Sequence, residues 1–359
     1  MNTHSPLTPT SVPLVPLVSV VLPIRNEARF IRRCLEAVLA QDYPADRMEL
    51  IVVDGMSTDG TREIAESFRA RHPALRVISN AGQIVPTGLN AAIAVARGEI
   101  VVRVDGHCEI AADYVSQCVH HLESGVDAVG GPLETIGDTV IAKAIAIGMS
   151  STFGVGNSAF RTSSGKTLLV DTVAFPAYTK SALDRLGPFD EELVRNQDDE
   201  YNYRLRKSGG QVLLAATVRS KYFSRSSLRS LWRQYFQYGY WKVRVLQKHP
   251  RQMCARQFAP PLFVGGSLAL IISSLFFPVA RWALIGTAVL YALAALIASA
   301  QRARRSVRLL AVLPVIFLIL HVSYGSGFLK GLIAFRGRWR HRRSVAAVTS
   351  ADRIAVRTS

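Results

Sequence analysis

Polar side chains follow three apolar, strand-like runs in the first third of the sequence. They are Asn26 and Glu27 after the first run, Asp54 at the end of the second and Asp105 at the end of the last. Because ligands bind beyond the carboxyl ends of the strands in an open parallel sheet, we expect these groups to share one crevice. A single aspartate after a strand is equally well explained as a turn former or a helix cap. Two aspartates at equivalent positions, with Asn26 and Glu27 nearby, favour a ligand site.

The tripeptide Asp105-Gly106-His107 presents a carboxylate and an imidazole separated by one residue. Such a pair can hold a divalent cation, Mg²⁺ or Mn²⁺, between the protein and a diphosphate. Two other phosphate-binding motifs are not supported. No G-x-G-x-x-G follows the first strand, and Gly165-Lys166-Thr167 has Phe160 where a P-loop requires glycine. On its own, the tripeptide is a weak indication of a metal site.

A second acidic cluster, Asp198, Asp199 and Glu200, begins a helical pattern that ends at Gly209. The helix dipole stabilises acids at a helix N-terminus, which is a purely structural explanation. The same position keeps a carboxylate ionised and aimed out of the helix, as a general base requires. The dipole acts on the whole cluster, so it does not identify which acid would be catalytic.

Short β-branched runs alternate with amphipathic stretches between residues 18 and 105. The pattern predicts strands at 18–23, 49–54, 76–78 and 99–105, and helices at 28–40, 61–71 and 88–96. A strand-helix-strand rhythm implies parallel pairing through right-handed crossovers. The sequence therefore predicts an α/β fold whose strand ends carry the polar residues.

Charge is divided unevenly along the chain, which has 43 Lys+Arg, 26 Asp+Glu and a net charge of +17. Residues 1–200 contain 17 basic and 25 acidic residues, whereas residues 201–359 contain 26 basic residues and one acid, Asp352. Long apolar runs interrupt the basic half. This pattern is typical of membrane segments whose basic flanks face anionic lipid, and it argues against a nucleic-acid binder.

Three apolar stretches, 258–277, 279–299 and 309–333, are each long enough to span a bilayer. Arg302, Arg304, Arg305 and Arg308 lie between the second and third stretches, and the segment before the first is also basic. By the positive-inside rule both regions are cytoplasmic, so the first two stretches form a hairpin. The third would then carry the basic residues 336–343 outside. Either residues 323–327 break this segment into a re-entrant or interfacial piece, or the rule is violated.

The segment between Ser227 and Leu246 mixes aromatic with basic residues. It predicts an amphipathic helix at the lipid interface, near the mouth of the crevice. The alternative is a helix that packs on the α/β domain through an ordinary aromatic face. Both interpretations can hold at once.

Together these motifs resemble family 2 glycosyltransferases of the GT-A fold, which has a Rossmann-like mixed sheet and binds nucleotide-diphospho-sugars. Among them the sequence is most similar to bacterial exopolysaccharide enzymes of the succinoglycan type. The resemblance covers about residues 18 to 250, and the order and spacing of its motifs make it specific. The motifs are residues 23–27 (PIRNE), 53–61 (VDGMSTDGT), 103–107 (RVDGH), 187–191 (GPFDE) and 196–209.

The resemblance implies roles for individual residues. The nucleotide-sugar donor would contact Pro23, Asn26, Glu27, Asp54 and Asp105. Asp105 and His107 stand at the D-x-D metal motif of the family, with His in place of the last Asp. The Glu-Asp pair that bears the general base aligns with Gln197-Asp198, so Asp198 is the expected base and its neighbour Asp199 is the alternative.

The reaction implied by the resemblance is an inverting transfer of one sugar to a lipid-linked polyprenyl saccharide, in exopolysaccharide or cell-surface glycan synthesis. The expected donor is a UDP-hexose. Processive members carry Q-x-x-R-W, but residues 237–241 (QYGYW) have Tyr in place of Arg. We expect Gln234, Gln237 and Trp241 on the acceptor and membrane side. The alternatives are a polyprenyl-phosphate sugar synthase, or a membrane scaffold or transporter with an inactive α/β domain.

The predicted organisation has five parts: a disordered tail (1–17), a GT-A domain (18–225), an amphipathic interfacial segment (226–257), a membrane domain of two to three spans (258–333) and a basic tail (334–359). The first basic residue is Arg25, so the charged start of a secretory signal is missing. We expect a multi-pass protein of the plasma (inner) membrane with a cytoplasmic catalytic domain. Its partners would be the donor, the lipid-linked acceptor and membrane lipids, and not nucleic acid.

Overall fold

The computed structural model describes residues 15–163, 165–224, 227–303 and 306–340. Most of the two predicted tails, with Arg304 and Arg305, lies outside these ranges. The strands are β1 (Val18–Ile24), β2 (Met48–Asp54), β3 (Leu75–Ser79), β4 (Ile100–Arg103), β5 (Cys108–Ile110), β6 (Ala128–Gly131), β7 (Leu133–Ile136), β8 (Leu168–Leu169), β9 (Ala174–Thr179), β10 (Val212–Leu214) and β11 (Ser220–Phe223).

Nine helices accompany these strands, and four longer ones follow. They are α1 (Ile31–Leu39), α2 (Thr61–Arg69), α3 (Val85–Val95), α4 (Tyr114–Glu123), α5 (Val140–Met149), α6 (Thr152–Val155), α7 (Ala159–Thr162), α8 (Lys180–Leu186), α9 (Gln197–Lys207), α10 (Leu228–Lys248), α11 (Ala259–Ser274), α12 (Pro278–Arg302) and α13 (Val307–Ala334). These helix counts refer to the described ranges. α3 begins three residues before the predicted Gly88, because Pro86 fits the first turn of a helix.

Eight strands form a mixed sheet in the order β3-β2-β1-β4-β9-β6-β10-β8, and β5, β11 and β7 form a smaller one. β1 pairs in parallel with β2 and β4, and β2 with β3, whereas β9 runs antiparallel to β4 and β6. The α/β class and the parallel pairing of the first four strands are confirmed. Ile24 of β1 lies opposite Asp54 of β2, so the polar residues that follow these strands meet at one edge.

Both faces of the large sheet are covered, as its continuous apolar strands require. Val20 and Leu22 of β1 enter one apolar cluster together with Leu35 of α1. Val21 points to the other face and packs in a second cluster with Leu89 of α3. The sheet is therefore held rigidly between two helical layers, and its carboxyl edge is a fixed platform.

Three helical segments are long and apolar enough to cross a membrane: Ala255–Ser274, Pro278–Arg302 and Val307–Ala334. Their bounds agree with the predicted stretches within a few residues. The first two turn into each other at Leu275, Phe276 and Phe277, and these three side chains are largely exposed. Such apolar exposure fits a surface that faces lipid.

The third apolar segment differs from one of the two expectations for it. α13 runs without interruption from Val307 to Ala334, so the expectation that residues 323–327 break it is wrong. Ser323, Gly325 and Gly327 are compatible with this helix because packing, rather than intrinsic propensity, decides whether they remain helical. Each of the three is buried, Gly325 against α11 and Gly327 against α10.

α13 also packs against the α/β domain through one of its faces. Leu313, Ile316 and Leu320 belong to the same apolar cluster as Ile145 and Met149 of α5. Each is at most 1% exposed, which is the burial of a domain core rather than of a helix surrounded by lipid. One face of the third apolar helix is thus part of the core of the α/β domain.

Glycines bring α13 and α10 into close backbone contact. A Cβ atom added at Gly327 would lie 2.0 Å from the Phe236 carbonyl oxygen, and one added at Gly331 would lie 2.6 Å from that of Tyr240. Across the interface, a Cβ at Gly239 would lie 2.0 Å from the Tyr324 carbonyl oxygen. Small residues at four-residue intervals let helix backbones approach in this way. The predicted amphipathic helix therefore packs on another helix over this face.

Candidate active site

A buried arginine joins the end of β4 to the start of α9. Arg103 is 4% exposed, its Nε donates to Asp105 Oδ1 at 2.9 Å, and its Nη1 donates to Asp198 Oδ1. Burial alone would lower the pKa of Arg103, but the two carboxylates outweigh it and hold the guanidinium charged. Asp105 and Asp198, which the sequence identified separately, thus lie on either side of one cation.

The three acids at the start of α9 have three different environments. Asp198 faces Arg103, whereas Asp199 Oδ2 accepts a hydrogen bond from Lys242 Nζ of α10 at 2.9 Å. Glu200 is buried and accepts from Arg204 Nε at 2.7 Å, with His249 Nε2 2.9 Å from the same oxygen. Glu200 therefore holds the helix to its surroundings, and Asp198 is the acid directed at the metal motif.

Burial shapes the acidity of Asp198. Desolvation raises the pKa of its carboxyl above the ordinary value, and the positive charge of Arg103 opposes that rise. A carboxylate with a raised pKa is a better proton acceptor than an ordinary aspartate. The environment of Asp198 thus suits a general base.

His107 is oriented by Glu27, because its Nδ1 lies 2.9 Å from Glu27 Oε1. The ring also meets Tyr222 edge to face, with 4.9 Å between the ring centroids. A carboxylate on one imidazole nitrogen commonly fixes the tautomer that offers the other nitrogen to a metal. Glu27, which the resemblance places at the nucleotide, therefore contacts the metal motif instead of standing apart from it.

The donor set fits a cation that is shared with a phosphorylated substrate. Within the described residues, no three His, Cys, Asp or Glu side chains are grouped as a complete metal site. Asp105 and His107 alone supply one oxygen and one nitrogen ligand. Mg²⁺ is often held in this way, by one or two protein ligands together with substrate phosphates and water. The residues present fit Mg²⁺ or Mn²⁺ bound with a diphosphate.

Hydrogen bonds connect the residues that follow β1 and β2. Asn26 has a positive φ of 54°, and its Oδ1 accepts from the Thr58 backbone N–H at 2.9 Å. Asp54 is 1% exposed and accepts from the Ser57 backbone N–H at 3.2 Å, with Arg62 Nη1 3.8 Å away. Asp54 thus shapes its own turn, and the two loops form one rigid rim.

A cavity of about 760 Å³ adjoins the carboxylates. Of the predicted site residues, the cavity is lined by Asp105, His107, Asp198, Asp199 and Gln234. Pro23, Asn26, Glu27 and Asp54 do not line it, although Glu27 contacts His107, which does. At the far end, Phe263, Tyr291 and Leu320 from the three apolar helices form part of the wall. The cavity therefore leads from the candidate catalytic residues to the apolar helices.

The three residues predicted on the acceptor side occupy different places. Gln234 lines the cavity and donates from Nε2 to Tyr238 Oη at 2.9 Å. Gln237 accepts from Arg195 Nε at 3.1 Å and so ties α10 to the loop before α9. Trp241 packs against Phe335, with 5.6 Å between the ring centroids. The structure does not bring these three side chains together.

Sequence reasoning missed Arg103, Lys242 and Arg161 as parts of the site. Arg103 carries a usable signal, because it is a charged residue in an otherwise apolar strand next to Asp105. Lys242 and Arg161 carry none, since each resembles an ordinary surface charge in the sequence, although the fold buries Lys242 and places Arg161 in the cavity wall. Lys242 is 1% exposed in the folded chain.

Comparison with known proteins gives consistent results. The profile of "Glycosyl transferase family 2" matches residues 19–187. Succinoglycan biosynthesis protein ExoA of Rhizobium meliloti (strain 1021) is 30% identical over 335 residues, which is 89% of this chain and 96% of the relative. An enzyme of Methanococcus voltae is 25% identical over 327 residues, 88% of this chain and 97% of the relative. Its name is dolichyl N-acetyl-alpha-D-glucosaminyl phosphate 3-beta-D-2,3-diacetamido-2,3-dideoxy-beta-D-glucuronosyltransferase.

Among solved structures, the mannosyltransferase PcManGT from Pyrobaculum calidifontis, in complex with GDP-Man and Mn²⁺, superposes with a TM-score of 0.55. The match covers 86% of this chain and 87% of that one, at 21% sequence identity. At 21% identity, this similarity supports a shared fold and does not by itself assign an activity. It supports the predicted GT-A architecture over most of the chain.

Proposed function

This chain belongs to glycosyl transferase family 2 and has its GT-A fold, and from that premise we propose that it adds one sugar to a lipid-linked saccharide at a membrane. It is a glycosyltransferase of polysaccharide or glycan biosynthesis. The observation that carries the finer proposal is the cavity, which runs from Asp105 and Asp198 to side chains of the three apolar helices. An acceptor with a polar head and an apolar tail matches these two ends.

The proposed mechanism assigns the chemistry to residues at the ends of β4 and α9. Asp198 accepts the proton of the acceptor hydroxyl as that oxygen attacks the anomeric carbon of the donor sugar, and the bond to the nucleoside diphosphate breaks. Attack from the face opposite the leaving group inverts the configuration. A divalent cation, when bound by Asp105 and His107, would stabilise the negative charge of the leaving diphosphate.

Arg103 and the rim loops have supporting roles in this proposal. Arg103 fixes the distance between the base and the metal motif, because it contacts both carboxylates. The interlocked loops that carry Asn26 and Asp54 lie beyond the strand ends, where nucleotides bind in folds of this type. We infer a UDP-hexose as the donor from the family resemblance, and GDP-sugars belong in the test because the PcManGT structure contains GDP-Man.

We place the protein in the plasma (inner) membrane with its catalytic domain in the cytoplasm. Arg251 and Arg256 precede α11, and Arg302 and Arg308 stand between α12 and α13. The positive-inside rule puts both groups on the cytoplasmic side, which is also where nucleotide sugars are made. The packing of α13 against α5 holds the α/β domain at that surface.

The test is transfer of labelled sugar from a panel of UDP- and GDP-sugars into the lipid extract of membranes that contain the protein, with Mg²⁺, Mn²⁺ or EDTA. We expect incorporation from one donor to require a divalent cation, and Asp198→Asn to lower it by about 10²–10⁴-fold. The control is Asp184→Asn, an exposed acid on α8, which should leave the rate unchanged.

The outcomes separate the candidate reactions. A polyprenyl-phosphate acceptor is already an anion and needs no base, so strong activity of Asp198→Asn would favour a polyprenyl-phosphate sugar synthase over the proposed reaction. Absence of transfer from every donor, with native lipid acceptors present, would overturn the proposed function.

A further inference from the structure

Buried polar atoms without partners are concentrated in the cavity. Among the described residues, six buried side-chain nitrogen or oxygen atoms have no hydrogen-bond partner, and four of them belong to cavity-lining residues. The four are Arg161 Nη1, Gln234 Oε1, Gln252 Oε1 and Tyr324 Oη. A buried polar atom without a partner is costly to the folded state, so four in one cavity indicate that a polar ligand or water binds there.

The charges of the cavity favour an anion over water. Seven basic and four acidic side chains line it. All four acids have a basic partner: Asp105 and Asp198 contact Arg103, Asp199 contacts Lys242, and Asp171 Oδ2 lies 3.0 Å from Arg256 Nη2. The described part of the chain supplies no carboxylate for Arg161. The cavity therefore has a positive excess to which Arg161 contributes an unpaired, buried donor.

The position of Arg161 is close to the metal motif, because the Tyr222 ring that its guanidinium faces also meets His107 edge to face. It lies on α7, with its guanidinium 5.9 Å from the centre of the Tyr222 ring, and it lines the cavity that Asn26, Glu27 and Asp54 do not reach. An anion bound by Arg161 would therefore lie in this cavity near Asp105 and His107, and competition with a nucleoside diphosphate distinguishes an acceptor diphosphate from that of the donor.

An apolar wall stands in the same cavity. Phe263 of α11 stacks on Tyr291 of α12 with 4.8 Å between the ring centroids, and Leu320 of α13 lines the wall nearby. These helices expose large apolar side chains elsewhere along their length. A ligand that fills the whole cavity would thus combine a phosphate-like anion with a long apolar chain that continues towards lipid.

We propose that this cavity binds a polyprenyl diphosphate, with Arg161 Nη1 as the main donor to the diphosphate and Tyr324 Oη as a second donor. The prenyl chain lies along Phe263, Tyr291 and Leu320. The inference rests on the proposed function, since it treats the diphosphate as part of the lipid-linked acceptor. It adds the residues that recognise the acceptor by its anchor rather than by its sugar.

Binding of farnesyl diphosphate to the full-length protein in detergent tests the site without any donor. EDTA removes divalent cations, so the diphosphate has no metal bridge to Asp105. We expect Arg161→Gln to weaken binding about 10- to 100-fold, the usual worth of a hydrogen bond to a charged group, and Arg161→Lys to restore part of it. Tyr324→Phe should weaken binding by a smaller factor.

Arg33→Gln is the matched control. Arg33 also stands over an aromatic ring of β11, 4.7 Å from the centre of Phe223, but it lies outside the cavity. This variant should bind farnesyl diphosphate like the wild type. Inorganic pyrophosphate should bind at least tenfold more weakly than farnesyl diphosphate, because it leaves the apolar wall uncovered.

Three results would overturn the inference: no binding by the wild type, equal binding by Arg161→Gln and Arg33→Gln, or displacement of farnesyl diphosphate by a nucleoside diphosphate. Transfer kinetics give a second readout, in which Arg161→Gln raises KM for the lipid-linked acceptor rather than KM for the donor. If the wild type transfers sugar but the binding does not depend on Arg161, the inference fails and the proposed function stands. If binding depends on Arg161 but no donor is used, the proposed function fails.

Discussion

At the residue scale, the site depends on how charges are paired rather than on how many acids it contains. Asp198, Asp199 and Glu200 are adjacent in sequence, yet they contact Arg103, Lys242 and the pair Arg204 and His249 respectively. Lys242 and the pair Arg204 and His249 hold Asp199 and Glu200 in other contacts, whereas Arg103 holds Asp198 beside Asp105 of the metal motif. Because Lys242 neutralises Asp199, a second negative charge does not face Asp198 unopposed.

This pairing gives a prediction that separates Asp198 from Asp199 as the base. Lys242→Met leaves Asp199 without its cation next to Asp198, and we expect it to reduce transfer at least tenfold. Adding Asp199→Asn removes both members of the pair, which is often close to neutral, so the double variant should recover to within a few fold of the wild type. Transfer rates of the single and double variants in detergent measure this.

The double variant can also contradict the assignment of Asp198 as the base. If Asp199 were the base, Lys242→Met with Asp199→Asn would be inactive, however well it folds. Thermal unfolding of each variant serves as the control, because recovery of activity without a change in unfolding temperature identifies an electrostatic effect and not a repaired fold.

At the element scale, the sequence predicted those strands and helices that have strong local signals. It did not predict which of them pack against each other. The β-branched runs correctly predicted the strands β1, β2 and β4. The polar residues that follow these runs correctly predicted which edge of the sheet carries the site. The partner of α13 had no such signal, because an apolar face has the same composition whether lipid or protein covers it. The four-residue spacing of Gly327 and Gly331 is the kind of sequence signal that indicates a close helix neighbour.

The contact between α10 and α13 should therefore be essential for activity. In Gly327→Leu, the new Cβ atom would lie 2.0 Å from the Phe236 carbonyl oxygen. The two helices must therefore separate. Overpacking of this kind costs about 1–3 kcal/mol or more, and it would draw Lys242 of α10 away from Asp199. We expect a lower unfolding temperature and a strong loss of transfer.

Gly286→Leu is the matched control for this prediction. Gly286 lies on the apolar helix α12, and no described atom would come within 4 Å of an added Cβ. The same substitution there should leave both unfolding and transfer unchanged. Equal tolerance at Gly286 and Gly327 would show that the helix contact is not needed.

At the scale of the whole molecule, the division into an α/β domain and a membrane domain describes the sequence better than the structure. α13 shares an apolar cluster with α5, and α10 carries Lys242 into the active site. The charge balance changes near residue 200 and the long apolar stretches begin at residue 258, and these changes suggested a division into two parts. Packing joins them, because the last apolar helix has one face for the domain core.

A shortened chain that ends at residue 257 tests whether the α/β domain depends on the helices that follow it. It keeps every candidate catalytic residue but exposes the side chains of α5, such as Ile145 and Met149, that α13 otherwise covers. Burial of one apolar side chain stabilises a fold by about 1.5–3 kcal/mol. Loss of Leu313, Ile316 and Leu320 should therefore lower the free energy of unfolding by several kcal/mol, which is comparable to the whole stability of a domain. We expect the shortened chain to aggregate and to transfer no sugar, while a chain that ends at residue 340 remains folded and active. Size-exclusion chromatography and the transfer assay report both properties, and a monomeric, active 257-residue chain would show that the catalytic domain does not depend on its membrane helices.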